Sequence, residues 1–509
     1  MSLDESEMSD SHASDPKRLA RLGLILGPML FLLLLLLPGI PLDAIQRRVA
    51  AVTALTATWW ITAALPIGAT SLIPAALFPL LGVLGAKEVA PLYMKDLVFL
   101  FLGAFVIALG LQRWGVHKRF ALWTIARLGT RPTRLVLGFM VASAFLSFWI
   151  NNTSTTLLML PIGVAVIAAV RGAPPRADDP FAVALLLGMA YSASVGGIAT
   201  PVGTVPNQVL LGQLSLAGLD TPSFGEWMLA WVPVVFLYLP LGWLLLTRVV
   251  LKVRNEGGRG NTVIRAERAA LGSMGRGEIL MTIVFVMTAL LWVTRAELDL
   301  GFVRLPGWVD FVAPSWIESP RNSITDATVA TTMAVLCFLI PVDRRRGIQL
   351  MDWKTASRMP WEVLLLIGAG FAIAGAFKES GLDRVLGEWL GPLISTLPLP
   401  VTVVLVVVFM VALTEITSNT ATTIVLLPVL RGAAEQAGIA PEMLMLPATI
   451  AASAAFMLPV ATPPNAVVFG SGLVPIPTMA RVGLVMNLLL AILVPLVFLL
   501  WGSKILVPS

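Results

Sequence analysis

Apolar runs near twenty residues long recur along the chain and alternate with short polar segments. As helices, such runs are long enough to cross a hydrocarbon layer of about 30 Å. They occupy 22–38, 49–64, 66–84, 96–112, 181–215, 227–250, 278–294, 325–341, 361–377, 445–473 and 479–502. The pattern predicts an all-α polytopic membrane protein with about 11 transmembrane helices.

Two further apolar stretches carry a cluster of amide and hydroxyl side chains at their centre. The clusters lie within 147–161 and 414–428, and their centres have the sequences Asn-Asn-Thr and Ser-Asn-Thr. Such groups are costly in hydrocarbon unless a partner satisfies them. A polar cluster at membrane depth that occurs twice indicates a binding site for a small polar solute.

The basic flanks of the first cluster predict how its chain segment folds. The cluster lies midway between Arg134 and Arg171, and one continuous helix of about 37 residues would be longer than the membrane is thick. We therefore predict re-entrant helical hairpins at 132–171 and 398–434, with the polar clusters at their tips. Two full spans joined by a loop on the far side remain an alternative.

The two halves of the chain are related by an internal repeat. Asn152 of the first cluster recurs as Asn419, and Pro201 of the interrupted run at 181–215 recurs as Pro459 in the run at 445–473. Neighbouring Pro, Thr and Asn residues recur in the same order. Because of the number of spans between the two copies, the second copy has the opposite orientation in the membrane. Inverted repeats with discontinuous helices are typical of secondary transporters.

Charged residues divide and orient the chain. We predict a cytoplasmic polar tail over 1–21, a first transmembrane half over 22–250, a basic cytoplasmic linker over 251–276 and an inverted second half over 277–509. An excess of Lys and Arg marks cytoplasmic loops. The predicted protein is a multi-pass protein of the plasma membrane (the inner membrane of a bacterium), surrounded by lipid, with its amino terminus inside and its carboxyl terminus outside.

Composition excludes several classes of function. The chain is 57% hydrophobic and 13% charged, against about 45–50% and about 25% in soluble domains. Its net charge of +6 follows from basic cytoplasmic loops, so no nucleic-acid partner is expected. One cysteine and two histidines give no metal cluster, and no cofactor is expected besides Na⁺ as coupling ion. No enzymatic motif lies at the interruptions, whereas an anion channel remains an alternative.

The interrupted helices provide the expected binding chemistry. Each interruption exposes free N–H groups, which attract anions, and free C=O groups, which suit Na⁺ as ligands. No Lys or Arg lies in either tip or either interruption. Affinity for an anionic substrate would then depend on Na⁺. The alternative is that these polar groups only hold helices together. For Glu415, which corresponds to Phe148 in the first half, structural pairing and ion coupling both remain open.

At these motifs the chain resembles the divalent anion:sodium symporter family, which carries di- and tricarboxylates or sulfate. The family's Ser-Asn-Thr motif is intact at the second tip, whereas the first tip has Asn151 in the place of Ser. The segment 454–465 also resembles the family's late signature. The resemblance covers the chain from about residue 22 onward.

The resemblance implies specific residue roles. One sodium site would be formed by Ser147, Asn151, Asn152 and Gly203, and its symmetry mate by Thr414, Thr417, Asn419 and Ala461. Substrate would contact Asn151, Asn152, Thr153, Thr204, Ser418, Asn419, Thr420 and Thr462. The family also implies a homodimer and an elevator-like motion, in which a transport domain of hairpins and interrupted spans slides against a scaffold.

The expected function is sodium-coupled symport of a small dianion of the C4-dicarboxylate class, such as succinate, malate or fumarate. Sulfate symport, citrate symport and sodium-independent dicarboxylate exchange remain alternatives. Asn151 affects which substrate is expected. Its amide side chain is longer than the Ser of the family motif, so it narrows the binding pocket and changes the hydrogen-bond donors there.

Overall fold

A computed structural model of the protein describes residues 16–37, 39, 41–129, 131–255, 260–299, 304–314 and 316–507. Most of these residues are helical, so the predicted all-α class is confirmed. Residues 1–15 of the predicted polar tail lie outside the described residues. Residues 16–21, the last part of that predicted tail, are helical. Pro16 begins this helix, and proline favours a first helical turn because its φ is fixed there.

Among the described residues, the first half and the end of the tail before it contain twelve helices. They are α1 (Pro16–Leu36), α2 (Ala44–Thr62), α3 (Ile67–Thr70), α4 (Ile73–Leu80), α5 (Ala86–Tyr93), α6 (Asp96–Arg113), α7 (Val116–Leu128), α8 (Pro132–Ser147), α9 (Asn152–Arg171), α10 (Pro180–Gly196), α11 (Val205–Ala217) and α12 (Phe224–Leu244). A 3-10 turn, Gly197–Ala199, follows α10, and a π-helical segment, Leu245–Val250, follows α12.

The second half, together with the linker, contains fourteen helices among the described residues. They are α13 (Gly260–Leu271), α14 (Arg276–Val293), α15 (Val309–Val312), α16 (Pro320–Ser323), α17 (Asp326–Leu339), α18 (Trp353–Ala356), α19 (Trp361–Ser380), α20 (Leu382–Ser395), α21 (Leu399–Thr414), α22 (Asn419–Gln436), α23 (Glu442–Ala451), α24 (Pro463–Phe469), α25 (Ile476–Val497) and α26 (Ser503–Leu506). A π-helical segment, Phe498–Gly502, follows α25, as another follows α12 in the first half.

Two small antiparallel ladders, which the sequence analysis did not predict, lie in connecting loops. Strand β1 (Leu298–Asp299) pairs with β2 (Arg304–Leu305), and β3 (Pro341–Asp343) pairs with β4 (Ile348–Gln349). The linker between the halves, whose secondary structure the sequence analysis left open, contains the amphipathic helix α13.

Eight described helices are long and apolar enough to cross a membrane, and five apolar helices are shorter. The predicted span over 66–84 is not one continuous helix, because the chain there forms two short helices, α3 and α4. Pro66 precedes the first, Pro74 lies in the first turn of the second, and Pro79 lies inside it. Proline has no backbone N–H and disfavours one continuous helix. The number of eleven crossings stays a prediction.

Both polar clusters lie at the turn between two consecutive helices. Helix α8 ends at Ser147 and α9 begins at Asn152, whereas α21 ends at Thr414 and α22 begins at Asn419. Each turn is closed by a polar residue that caps the second helix, a position where Asn and Ser are favoured. Two helices joined by a polar turn fit the predicted hairpins, and their re-entrant course in the membrane stays a prediction.

The two predicted interruptions are also present. Helix α10 and its 3-10 turn end at Ala199, and α11 begins at Val205. In the second half α23 ends at Ala451 and α24 begins at Pro463. Prolines in the first turns of α11 and α24 fit this arrangement, because proline suits a helix start and not a helix interior.

The hairpin of each half packs against the interrupted span of the other half. Helix α9 contacts α24, and α22 contacts α11. Gln213 on α11 donates from Nε2 to the carbonyl oxygen of Ile424 on α22 at 3.1 Å. Helix α10 lies at the centre, where every residue after Pro180 is buried. The two tips and the two interruptions thus belong to one interlocked unit.

Close backbone contact within this unit gives a first prediction. A Cβ atom at Gly196, the last residue of α10, would lie 2.3 Å from the carbonyl oxygen of Ala144 on α8. We expect Gly196→Ala to destabilise the protein by about 1–3 kcal/mol, because backbone must shift to admit the methyl group. Thermal unfolding in detergent measures this. Gly275→Ala is the control, since nothing lies within 4 Å of its added Cβ. Equal midpoints for the two variants would contradict the prediction.

Candidate functional site

At the first hairpin tip, a side-chain amide and a main-chain carbonyl approach one glycine. The hydroxyl of Ser147 donates to Oδ1 of Asn152 at 2.5 Å. A Cβ atom at Gly197 would lie 2.7 Å from Asn152 Oδ1 and 3.1 Å from the carbonyl oxygen of Gly203. The amide of Asn152 and the main chain of Gly203 are therefore neighbours, and a side chain at position 197 would fill the space beside them.

The second tip repeats this arrangement. The hydroxyl of Thr414 donates to Oδ1 of Asn419 at 2.5 Å, and it lies 3.0 Å from the carbonyl oxygen of Ala452 in the second interruption. Each tip thus pairs a hydroxyl with the amide oxygen five residues later in the chain. Uncharged oxygen atoms grouped in this way can bind a hard monovalent cation.

Each interruption is held by one buried asparagine. Asn207 donates from Nδ2 to the carbonyl oxygens of Gly197 at 3.0 Å and Thr200 at 2.9 Å. Asn465 makes the same two bonds, at 3.0 Å each, to the residues ten and seven positions before it. Both side chains are fully buried, and each Oδ1 has no hydrogen-bond partner among the described residues. These amides satisfy carbonyl groups that the missing helical turns leave free.

Several helices begin at the tips and interruptions. The first turns of α9 and α22 lie at the tips, and α11 begins directly after the first interruption. A helix start has free N–H groups and a partial positive charge, which favours anions. No Lys or Arg occurs in 147–156, 197–207, 414–423 or 452–465. Within these segments, the partial positive charge available to an anion is therefore that of the helix starts.

Cavities adjoin the first tip and the first interruption. One of about 260 Å³ is lined by Ile150, Ser154 and Thr155 at the tip and by Gln112 and His117 near it. Another, of about 760 Å³, extends to Pro201 in the first interruption. Its charged lining residues are Asp96, Asp220, Glu226, Arg295, Arg321 and Asp326. The smaller cavity thus adjoins the first tip, and the larger one reaches one residue of the first interruption.

A model of one protein family matches this chain over residues 17–507, and it describes the sodium:sulfate symporter transmembrane region. The chain belongs to the sodium:sulfate symporter family. This confirms the resemblance inferred from the tip motifs, and it makes the chain a membrane transporter and not an enzyme.

Relatives within this family cover almost the whole chain. A sodium-dependent dicarboxylate transporter, SdcS, of Staphylococcus saprophyticus is 40% identical over 93% of this chain and 90% of the relative. The protein of the same name from Staphylococcus aureus is 38% identical over 94% of this chain and 90% of its own length. The solved structure of the Alcanivorax borkumensis YdaH transporter has a similar fold, with a TM-score of 0.55 and 17% identity over 84% of this chain and 89% of that chain.

The residues predicted as sodium ligands in this symporter-family chain divide into two groups. Ser147, Asn152 and Gly203 lie together at the first tip, and Thr414 and Asn419 lie together at the second. The side chains of Asn151 and Thr417 instead make hydrogen bonds to the main chain. Asn151 Oδ1 accepts from the N–H of Ser154 at 2.7 Å, and the Thr417 hydroxyl donates to the carbonyl of Leu413 at 2.6 Å. Any contribution of these two through the main chain stays a prediction.

The residues predicted to contact substrate occupy the starts of four helices. Asn151 and Ser418 cap α9 and α22, and the following Asn and Thr residues form their first turns. Thr204 and Thr462 precede α11 and α24 with nearly the same backbone angles, φ/ψ of −144°/149° and −141°/148°. Gly203 and Ala461, the predicted main-chain ligands, each stand immediately before these threonines.

Glu415 connects the second tip to the second interruption. Its Oε1 accepts from the N–H of Phe456 at 2.7 Å and from Nδ2 of Asn487 at 2.5 Å, and its Oε2 accepts from the N–H of Met457 at 3.0 Å. The side chain is buried. At the equivalent place in the first half, the Thr200 hydroxyl donates to the carbonyl of Phe148 at 2.5 Å. These contacts favour structural pairing for Glu415.

Sequence reasoning missed three parts of this site. It did not assign roles to Asn207 and Asn465, although their recurrence in the two halves was a usable signal. It did not pair Glu415 with Asn487, which is 72 residues away and belongs to α25. It also did not predict that Thr200 bonds to the first tip.

The role of Glu415 gives a second prediction. In Glu415→Gln, an amide N–H₂ would face backbone N–H donors, and the charge-assisted hydrogen bonds would be lost. We expect a loss of stability of about 2 kcal/mol, measured as a lower midpoint of thermal unfolding in detergent. Glu388→Gln is the matched control, because Glu388 is exposed and has no hydrogen bond or ion pair within the described chain. A midpoint equal to that of the control would show that these contacts contribute little.

Proposed function

We propose that the protein is a secondary transporter that couples uptake of a C4-dicarboxylate to Na⁺ across the plasma membrane. The observation that carries this proposal is the mirrored pair of tips, in which a hydroxyl and an asparagine amide oxygen lie 2.5 Å apart in each half. The family relatives named sodium-dependent dicarboxylate transporters support this substrate class over sulfate or citrate.

Each tip would bind one Na⁺. The ligands in the first half are the side chains of Ser147 and Asn152 with main-chain oxygens, including that of Gly203. The second half uses Thr414 and Asn419 with main-chain oxygens, including that of Ala461. The hydroxyl–amide pairs support this assignment, because both members have an uncharged oxygen atom that can bind a cation. In the first half the carbonyl of Gly203 lies beside the amide of Asn152.

The dicarboxylate would lie between helix starts and amide and hydroxyl donors. Its proposed partners are Asn151, Asn152, Thr153, Thr204, Ser418, Asn419, Thr420 and Thr462. These groups are uncharged, and a dianion in a largely desolvated site is costly without compensating positive charge. Bound Na⁺ supplies that charge. Coupling follows, because each Na⁺ raises the affinity for the dianion and the dianion raises the affinity for Na⁺ by the same factor.

The motion that exposes the site to each side is proposed to be elevator-like. The moving unit would contain the hairpins α8–α9 and α21–α22 with the interrupted spans α10–α11 and α23–α24. The cross-packing of α9 on α24 and of α11 on α22 supports movement as one body. The remaining spans, including the pairs α1–α2 and α6–α17, would form the scaffold of a homodimer. The distribution of Lys and Arg supports an amino terminus inside and a carboxyl terminus outside.

A third prediction tests the coupling. In proteoliposomes that contain the purified protein, an inward Na⁺ gradient should drive accumulation of labelled succinate at least tenfold above a choline control, since Na⁺ supplies the positive charge for binding. Counterflow in the absence of Na⁺ should be near background. Equal accumulation with and without the gradient would favour sodium-independent exchange, and unitary currents in a planar bilayer would favour a channel.

A fourth prediction tests the two tips. Asn152→Ala and Asn419→Ala should each lower sodium-driven succinate uptake by about a hundredfold or more, because each removes an oxygen proposed to bind Na⁺ and a donor proposed to bind substrate. Both proteins should still elute from size exclusion as the wild type does. Gln436→Ala, which removes an exposed amide at the end of α22 far along the chain from the tip, is the matched control. Near-normal uptake by both tip variants would mean that the tips are only structural.

A further inference from the structure

A cleft of about 420 Å³ lies between α7 and α13, away from the tips and interruptions. Its lining includes three guanidinium groups, from Arg119, Arg265 and Arg268, and the side chains of Trp123 and Leu271. No carboxylate is among its lining residues within the described part of the chain. The cleft is therefore electropositive and can accept an anion.

Hydrogen bonds and ion pairs join the two walls of the cleft. Arg119 on α7 donates to the carbonyl oxygens of Leu271, the last residue of α13, at 3.3 Å and of the next residue, Gly272, at 3.0 Å. Its guanidinium also forms an ion pair with the carboxylate of Glu278 on α14. Lys118 and Glu267 form a second bridge between the two helices, at 2.8 Å. The two walls are thus held together before any ligand binds.

Arg268 differs from Arg119, because it has no hydrogen bond or ion pair within the residues that the structure describes. Arg265 and Arg268 stand three positions apart on α13, both are exposed, and residues at this spacing lie on one helix face. Guanidinium groups bind phosphate oxygens well, since several N–H donors lie in one plane. The pair on this face is suited to a phosphate group.

An aromatic surface adjoins the charges. Trp123 is 43% exposed, and the guanidinium of Arg127 lies 4.2 Å from the centre of its ring. Tryptophan and arginine together are typical of the membrane–water boundary, where the ring contacts the upper acyl region. Inorganic phosphate would use only the arginines, whereas a phospholipid would use both the arginines and the ring.

We propose that this cleft binds an anionic phospholipid, with its headgroup phosphate at Arg265 and Arg268 and its glycerol and upper acyl region at Trp123. Basic pockets between helices on the cytoplasmic side of membrane proteins bind such headgroups. The proposal rests on the orientation proposed above, with the basic linker in the cytoplasm. Because α7 also packs along α8 of the first hairpin, the lipid would lie where the linker meets that hairpin.

Native mass spectrometry of the full-length protein in detergent tests the proposal, with phosphatidylglycerol and phosphatidylcholine titrated separately. The variant is Arg265→Gln with Arg268→Gln, and the control is Arg344→Gln with Arg345→Gln, two exposed arginines in another basic loop. We expect phosphatidylglycerol to bind the cleft variant roughly 30-fold more weakly than the wild type. The control variant should keep wild-type affinity, and phosphatidylcholine binding should be weak throughout.

Three outcomes would overturn the proposal: unchanged phosphatidylglycerol binding by the cleft variant, an equal loss in the control pair, or displacement of the lipid by millimolar inorganic phosphate. The second would indicate diffuse surface charge, and the third a simple anion site. If the double variant does not fold, Arg268→Gln alone should weaken binding roughly fivefold. Lipid binding is read directly, so failure of this proposal is distinguishable from failure of sodium-coupled transport.

Discussion

The hydrogen bonds that Asn207 and Asn465 make to the main chain of the interrupted spans are the constraint on which the site depends. A helix interrupted within a membrane leaves carbonyl groups free, and such groups must be satisfied inside the protein. Each asparagine satisfies two carbonyls at the same two spacings in both halves. With these groups bonded, the backbone of residues 200–204 and 452–462 can stay outside any α-helix. The oxygens proposed to bind Na⁺ are positioned by that backbone.

In each half, hydrogen bonds join the tip to the interruption, but different side chains make them in the two halves. In the first half a Thr200 hydroxyl joins the interruption to the tip, and in the second half the carboxylate of Glu415 accepts three N–H bonds. The second tip therefore has a buried carboxylate beside it, whereas Phe148 stands at the equivalent position in the first half. A buried carboxylate favours a cation in its vicinity. The two proposed sodium sites thus share their oxygen donors and differ in their surroundings.

The sequence allowed prediction of the features that both halves repeat. The tips at Asn152 and Asn419 and the interruptions after Ala199 and Ala451 follow from polar clusters and prolines at matching positions. Features without a local signal were missed. The bond from Asn487 to Glu415 joins segments that are distant in the sequence. Helix α13 is short and amphipathic, so no long apolar run indicates it. Prolines divide the apolar run at 66–84 into two short helices. Pairing between distant residues depends on packing, which hydropathy does not record.

The central claim is that uncharged oxygens and helix ends bind a dianion only when Na⁺ neutralises it. Calorimetric titration of succinate into the detergent-solubilised protein, over a range of NaCl concentrations at constant ionic strength, tests it most directly. The account predicts no measurable binding in choline chloride and an affinity that rises steadily with Na⁺. An affinity for succinate that is the same with and without Na⁺ would contradict it.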